Sequence, residues 1–352
     1  MEQIKERMPQ MRLFFLFAFF ALSIGDAFNV LYIQEMARTF ADEAHWEFFT
    51  GLPVTMMSAS MIAGVCVSNY ISDKKGDFAT FIKIAIRFTV VGMLVRGLAF
   101  HYLLMLLGFM AVGFGYGCFY IGIRYYAYLF AEEADRMQAL TFVGGGGFAG
   151  QCMGTVLGGI MAGQMPYRMV YLMAVLLMLP PIYLSKHYSV EAEIKAGGLK
   201  DAFTIIKDSR TVLYLVFMVV PMFACTIFTS YTIPLEVDGF GYSSTVISAL
   251  LLGSYMISAY AGPFTTKTIL SKFRPIRATY IYCIGVAAMI AFFSIGHTFP
   301  ILVFVVLALG LLDSFGTSVM TEAYTGFTPN NESSVGSLFI YILVTRIGMT
   351  IA

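Results

Sequence analysis

Long apolar stretches alternate with short polar ones along the whole chain. Runs near 13–33, 48–70, 81–99, 102–129, 138–163, 167–186, 211–235, 243–266, 278–297, 300–326 and 334–352 each approach the about 20 residues a helix needs to cross a hydrocarbon core. The pattern predicts an all-α polytopic membrane protein with eleven spans. The longest polar segment, roughly 185–209, separates six spans from five. It predicts an N-terminal six-helix half (1–187), a cytoplasmic linker (188–209) and a C-terminal half (210–352) that ends before a twelfth helix. Within the linker, 200–209 has apolar residues at Ala202, Phe203, Ile205 and Ile206, the spacing of a short amphipathic surface helix or of a plain connector.

Composition agrees: the chain is 59% hydrophobic and 12% charged, with a mean hydropathy of +0.78. A net charge of +1 gives no support for nucleic-acid binding, but it hides a polarised molecule. Lys and Arg gather in segments on the side of the N-terminus, from Lys5, Arg7 and Arg12 through Lys74 and Lys75 to Lys267, Lys272, Arg274 and Arg277. The opposite side has Arg38 and Arg168. Such a bias predicts a cytoplasmic N-terminus in the cell (inner or plasma) membrane. The first ten residues run into the apolar stretch without a small-residue cleavage site, as expected of a retained first helix.

Two segments repeat. Asn69-Tyr-Ile-Ser-Asp73-Lys74-Lys75-Gly76 lies after the second span, and a fainter copy, Gly262-Pro-Phe-Thr-Thr266-Lys267, stands 193 residues later. The first copy resembles the loop signature of the major facilitator superfamily, Gly-x-x-x-Asp-Arg/Lys-x-Gly, with Asn69 in place of the first glycine. In the second, Gly262 and Lys267 match and Thr266 replaces the carboxylate. The resemblance implies two pseudo-symmetric six-helix halves working by alternating access, with Asp73 gating against the start of span eleven at Asn331, Glu332 and Ser333. Gly146, Gly150, Gly154 and Gly158 form a stripe at four-residue steps that suits close helix packing. The same stretch resembles the span-five motif of proton-coupled exporters, with Thr155 where those have proline. The arginine of their span four is replaced by Phe109.

Charged residues at membrane depth cost about 2.5–3.5 kcal/mol even on the lenient insertion scale, so each suggests a function. Asp26 shares a helical face with Ser23 and Asn29 and suits a proton or cation site; the alternative is a carboxylate bonded for packing. Tyr116, Tyr120, Arg124 and Tyr128 follow at four-residue steps on span four, either a binding wall or packing with a snorkelling arginine. Asp313, with Thr317 and Thr321 on its face, is favoured over Glu322. Thr226 and Ser230 form a polar wall between Pro221 and Pro234. Arg96 is expected to snorkel from the end of span three, and Arg346 to need a partner deep in span eleven.

The chain has no phosphate loop, nucleophile elbow or metal-ligand spacing, and its five cysteines form no close pair, so no enzyme, cofactor, metal or disulfide framework is expected. The reading is a monomeric secondary transporter, an antiporter-like and proton-coupled one by resemblance. Its partners are the lipid bilayer, a small organic or amphipathic solute and a proton or other coupling ion, with export favoured. The alternative is a transporter-like sensor or scaffold whose signalling domain lies beyond the chain end. The cationic bias makes a topological prediction. A cysteine replacing Glu43 should react with an impermeant reagent from outside and one in segment 188–209 only after lysis; the reverse pattern would invert the topology.

Overall fold

A computed structural model describes residues 7–41, 45–75, 78–128, 133–185, 208–327 and 334–351. Among these residues every regular element is a helix. Seven of the helices among the described residues are long and apolar enough to cross a membrane. The N-terminal elements are α1 (Met8–Ser23), α2 (Asn29–Phe40), α3 (Trp46–Lys75), α4 (Phe78–Leu98), α5 (Tyr102–Tyr128), α6 (Glu133–Ala162) and α7 (Tyr167–Ser185). After the linker come α8 (Ser209–Gly239), α9 (Ser244–Lys272), α10 (Pro275–Gly296), α11 (Phe299–Thr325) and α12 (Ser334–Ile351). The first apolar stretch is therefore two helices joined by a turn, where the pattern predicts one.

The chain forms two compact units, Met1–Leu199 and Lys200–Ala352. In the first, α1 packs on α6, α3 on α5 and α4 on α5. The second repeats the scheme with α8 on α12, α9 on α11 and α10 on α11. Single contacts repeat too. A Cβ on Gly117 would collide with the carbonyl oxygen of Met61, and one on Gly310 would lie 2.7 Å from that of Ser254. From Met61 to Ser254 and from Gly117 to Gly310 is the same 193 residues that separate the two loop copies. The internal repeat is thus written in backbone contacts as well as in sequence.

The tightest seam joins α1 to α6. A Cβ on Gly146 would lie 2.6 Å from the Arg12 carbonyl oxygen, and those on Gly150, Gly154 and Gly158 would fall onto the carbonyl oxygens of Leu16, Phe20 and Ile24. Both sets advance by four residues, so the helices run parallel in constant register. Apolar side chains drive no helix together in lipid, which is as apolar as they are; close backbone approach permitted by small residues does. The glycine stripe is accordingly a packing device. Large apolar side chains face outward instead, among them Phe100 at 81% and Ile295 at 87% exposure, as suits a lipid-facing surface.

In α8 two single π turns, Leu215–Val219 and Phe228–Thr232, each precede a proline, Pro221 and Pro234. A proline ring clashes with the carbonyl four residues earlier. Those carbonyls belong to Phe217 and Ser230, inside the π turns, whose wider winding gives the ring room. At its start, Asp208 accepts from the Thr211 hydroxyl at 2.9 Å and the Arg210 N–H at 3.2 Å, which holds its carboxyl below the usual range.

The seam makes its own prediction. Gly150→Val should push α1 and α6 apart and cost about 1–3 kcal/mol as an overpacked contact, whereas Gly145→Ala, which points into open space on the same helix, should be neutral or slightly stabilising. Thermal melting in detergent compares them, and equal midpoints would remove the seam from the account.

Candidate functional site

The turn between α1 and α2 places the first candidate. The Asp26 N–H donates to the Ser23 carbonyl at 3.1 Å, and the Asn29 N–H to that of Gly25 at 2.6 Å. Gly25 has no side chain because a Cβ there would meet Asn29 Cγ at 2.9 Å. Room is thereby left for Asn29 Oδ1 to accept the Tyr171 hydroxyl from α7. The carboxylate of Asp26 receives the Thr155 hydroxyl at 3.4 Å; Thr155 also bonds the Gln151 carbonyl at 3.1 Å. Thr155 lies between Gly154 and Gly158, so the seam that locks α1 to α6 also delivers the donor to Asp26. Ser23, Asp26 and Asn29 do not share one helical face as expected, yet the turn keeps Asp26 and Asn29 together on the α6–α7 side. Ser23 is buried beside the Asp26 carboxylate.

Arg96 corrects an expectation. It does not snorkel: only 2% of it is exposed. Its guanidinium carbon lies 3.6 Å from the Phe109 ring centroid and 5.5 Å from that of Tyr171, and Nη2 is 3.5 Å from Met57 Sδ. Its Nε has no partner among the described atoms. Gly108 makes the slot, since a Cβ there would lie 2.8 Å from Arg96 Cγ. A guanidinium from α4 thus stacks on Phe109, the residue standing where exporters of the resembling branch carry an arginine. Tyr171 links the two charges, its hydroxyl bonded to Asn29 beside Asp26 and its ring against Arg96.

Tyr116 and Tyr120 lie half-buried on α5, Tyr116 edge-on to Phe19 at 5.4 Å. The Arg124 side chain lies outside the described residues. So do the side chains of Asp73 and Lys74, all of Gly76 and the residues 331–333 expected to receive Asp73, so the structure describes no gate there. Asn69, by contrast, is buried in α3 and accepts the Tyr125 hydroxyl, tying α3 to α5. In the second copy Gly262 lies within α9, Lys267 is exposed and the Thr266 hydroxyl reaches the Ser314 carbonyl at 3.5 Å.

In the C-terminal unit the Tyr282 hydroxyl donates to Asp313 at 2.6 Å. A Cβ on Gly316, one turn beyond Asp313, would collide with the Tyr282 ring, so this glycine lets α10 supply the donor. Thr317 and Glu322 are both exposed. The hydroxyls of Thr226 and Ser230 bond their own helix, at the Phe223 carbonyl (2.6 Å) and the Thr226 carbonyl (3.4 Å). Arg346 is 7% exposed, with Nη1 3.1 Å from Met349 Sδ. Sequence reasoning missed Tyr171, Tyr282 and the role of Thr155. Each is a hydroxyl whose partner lies on another helix, visible only as a polar atom on an apolar span.

A family model described as Major Facilitator Superfamily matches residues 13–352. The fold is similar to that of a D-xylose-proton symporter, with a TM-score of 0.75 at 14% identity over 98% of this chain and 87% of that one. It also resembles a nucleoside transporter (TM-score 0.72, 12% identity, 98% and 90% covered) and a human organic anion transporter (TM-score 0.68, 11% identity, 99% and 91% covered). No curated protein sequence matches the chain.

The Asp313 contact generates a prediction. Tyr282→Phe removes a donor to a half-buried carboxyl and should lower stability by about 1.5–3 kcal/mol. Thr317→Ala, on the exposed side of the same helix, should change little. Melting of the purified variants would exclude this contact as a stabilising one if the two midpoints coincide.

Proposed function

Because the chain belongs to the Major Facilitator Superfamily, we propose that it is a secondary transporter that moves a small organic solute by alternating access and couples the movement to protons through Asp26. The carrying observation is a carboxylate set in a helix break at membrane depth, beside a buried guanidinium that makes no ion pair among the described residues. A helix break frees backbone groups and admits a polar side chain where a continuous span would exclude it. A proton arriving on Asp26 removes a charge that Arg96 and Thr155 otherwise compensate, and its departure restores it. The two charge states therefore favour different packings of α1 against α6 and α7, which is what a coupled cycle requires. Asp313 is the second carboxylate at membrane depth, held by Tyr282, and takes a supporting part.

The direction we assign is export, with protons moving inward. It rests on the likeness of the Gly150–Gly159 stretch to proton-coupled exporters and on Thr155, which joins that stretch to Asp26. In inside-out vesicles an acid lumen should then drive solute inward. Asp26→Asn should cut gradient-driven accumulation at least tenfold while leaving solute exchange within about threefold, since exchange need not load or release the proton; each tenfold corresponds to about 1.4 kcal/mol. A mutant that accumulates solute with the wild-type pH dependence would end the coupling role, and uptake driven only by an alkaline lumen would reverse the direction.

A further inference from the structure

Beyond the Asp26 turn, where α2 meets the start of α7, lies a cavity of about 500 Å³ that the coupling scheme does not use. That volume falls within the roughly 300–1,000 Å³ of ligand sites. Tyr32 and Glu35 line it from α2, Met165 and Pro166 from the turn after α6, and Tyr167 and Arg168 from the first residues of α7. Its aromatic wall is fixed in place. Tyr167 stacks on Phe28 at 5.2 Å and 8°, and meets Tyr32 edge-on at 6.0 Å. Tyr32 is in turn pinned by its hydroxyl, which donates to the Arg96 carbonyl at 3.0 Å.

The two charges on this cavity are opposite, exposed and not paired with each other: among the described residues no ion pair joins Glu35 to Arg168. Arg168 is instead held toward α2 by Met36, with Nη2 3.6 Å from its Sδ. An unneutralised carboxylate and guanidinium across one aromatic-walled space match a molecule that carries both signs. A planar guanidinium suits a carboxylate in two-point contact, while Glu35 and the ring faces suit an ammonium. We propose that this cavity binds a small zwitterion, an ammonium and a carboxylate on one frame with an aromatic or bulky apolar group against Tyr167. Because the wall is held before any ligand arrives, little ordering is required on binding. The proposal names a solute class for the transporter and rests on that reading only for what the site serves.

The test uses the full chain in detergent and three probes that differ only in charge: phenylalanine, phenethylamine and 3-phenylpropionic acid. Phenylalanine should bind at least tenfold more tightly than either single-charge probe, measured by calorimetry or by ligand-dependent melting. Arg168→Gln should weaken phenylalanine about tenfold and leave phenethylamine unchanged; Glu35→Gln should weaken phenylalanine similarly and leave the acid unchanged. Both positions are exposed, so the variants are expected to fold, and their unliganded melting midpoints verify it. Equal binding of all three probes, binding of none, or unaltered discrimination in both variants overturns the site. Asp26→Asn separates the two readings. It should keep phenylalanine binding while losing proton coupling, so absent binding in a protein that still couples protons defeats the cavity alone, and intact binding with wild-type coupling in the mutant defeats the Asp26 role alone.

Discussion

The arrangement of the N-terminal half depends on four carbonyl oxygens lying where side chains would otherwise begin. Because Arg12, Leu16, Phe20 and Ile24 present their carbonyls to Gly146, Gly150, Gly154 and Gly158, α1 and α6 touch backbone to backbone. In a bilayer this is the economical way to join helices, since burying one apolar side chain against another gains nothing over lipid. The consequence reaches the chemistry. Parallel register at that distance fixes Thr155 within 3.4 Å of the Asp26 carboxylate. The regular α1 winding ends at the level where Gly158 meets Ile24, with the turn to α2 following at once.

Much of this was legible in the sequence, and the part that was not has a common cause. The helices, their order and the small-residue stripe follow from hydropathy and spacing, because both are local properties of a chain in lipid. The loop repeat at 193 residues was legible too, and the contacts of Gly117 and Gly310 carry the same interval into the packing. Nearness to a span end suggests that Arg96 escapes to water, yet it is buried. What decides its position is Gly108 on the neighbouring helix, which opens a slot, and Phe109, which fills its floor with a ring face. Tyr171 and Tyr282 escaped notice for the same reason: a phenol at membrane depth reads as apolar until its partner, Asn29 or Asp313, is known to lie across a helix interface.

Phe109 also changes how the exporter likeness should be weighed. By linear position the arginine of that branch is missing, and the likeness weakens. In space a guanidinium is nevertheless present, delivered from α4 and stacked at 3.6 Å on Phe109. Cation–π contacts of this kind are worth about 2 kcal/mol or more when desolvated, which offsets part of the cost of burying the charge. Motif comparison follows the chain, whereas the field inside a membrane protein depends only on where the charge ends up.

The two halves repeat their scaffold but not their chemistry. Moved forward by 193 residues, Asp26, Asn29, Arg96 and Phe109 fall on Val219, Met222, Met289 and Leu302, so the charged cluster of the first half has only apolar counterparts in the second. The reverse holds at another interface. Tyr282 and Asp313, bonded at 2.6 Å, fall back on Thr89 and Tyr120, where no carboxylate stands. The hydrogen-bonded carboxylates Asp26 and Asp313 thus stand at different helix pairs: α1 with α6 in one half, α10 with α11 in the other. A repeat that kept a charge at both equivalent sites would bear twice the desolvation cost for the same chemistry. Glycine contacts need no such divergence, since they cost nothing in charge, and they are the feature that Gly117 and Gly310 still share.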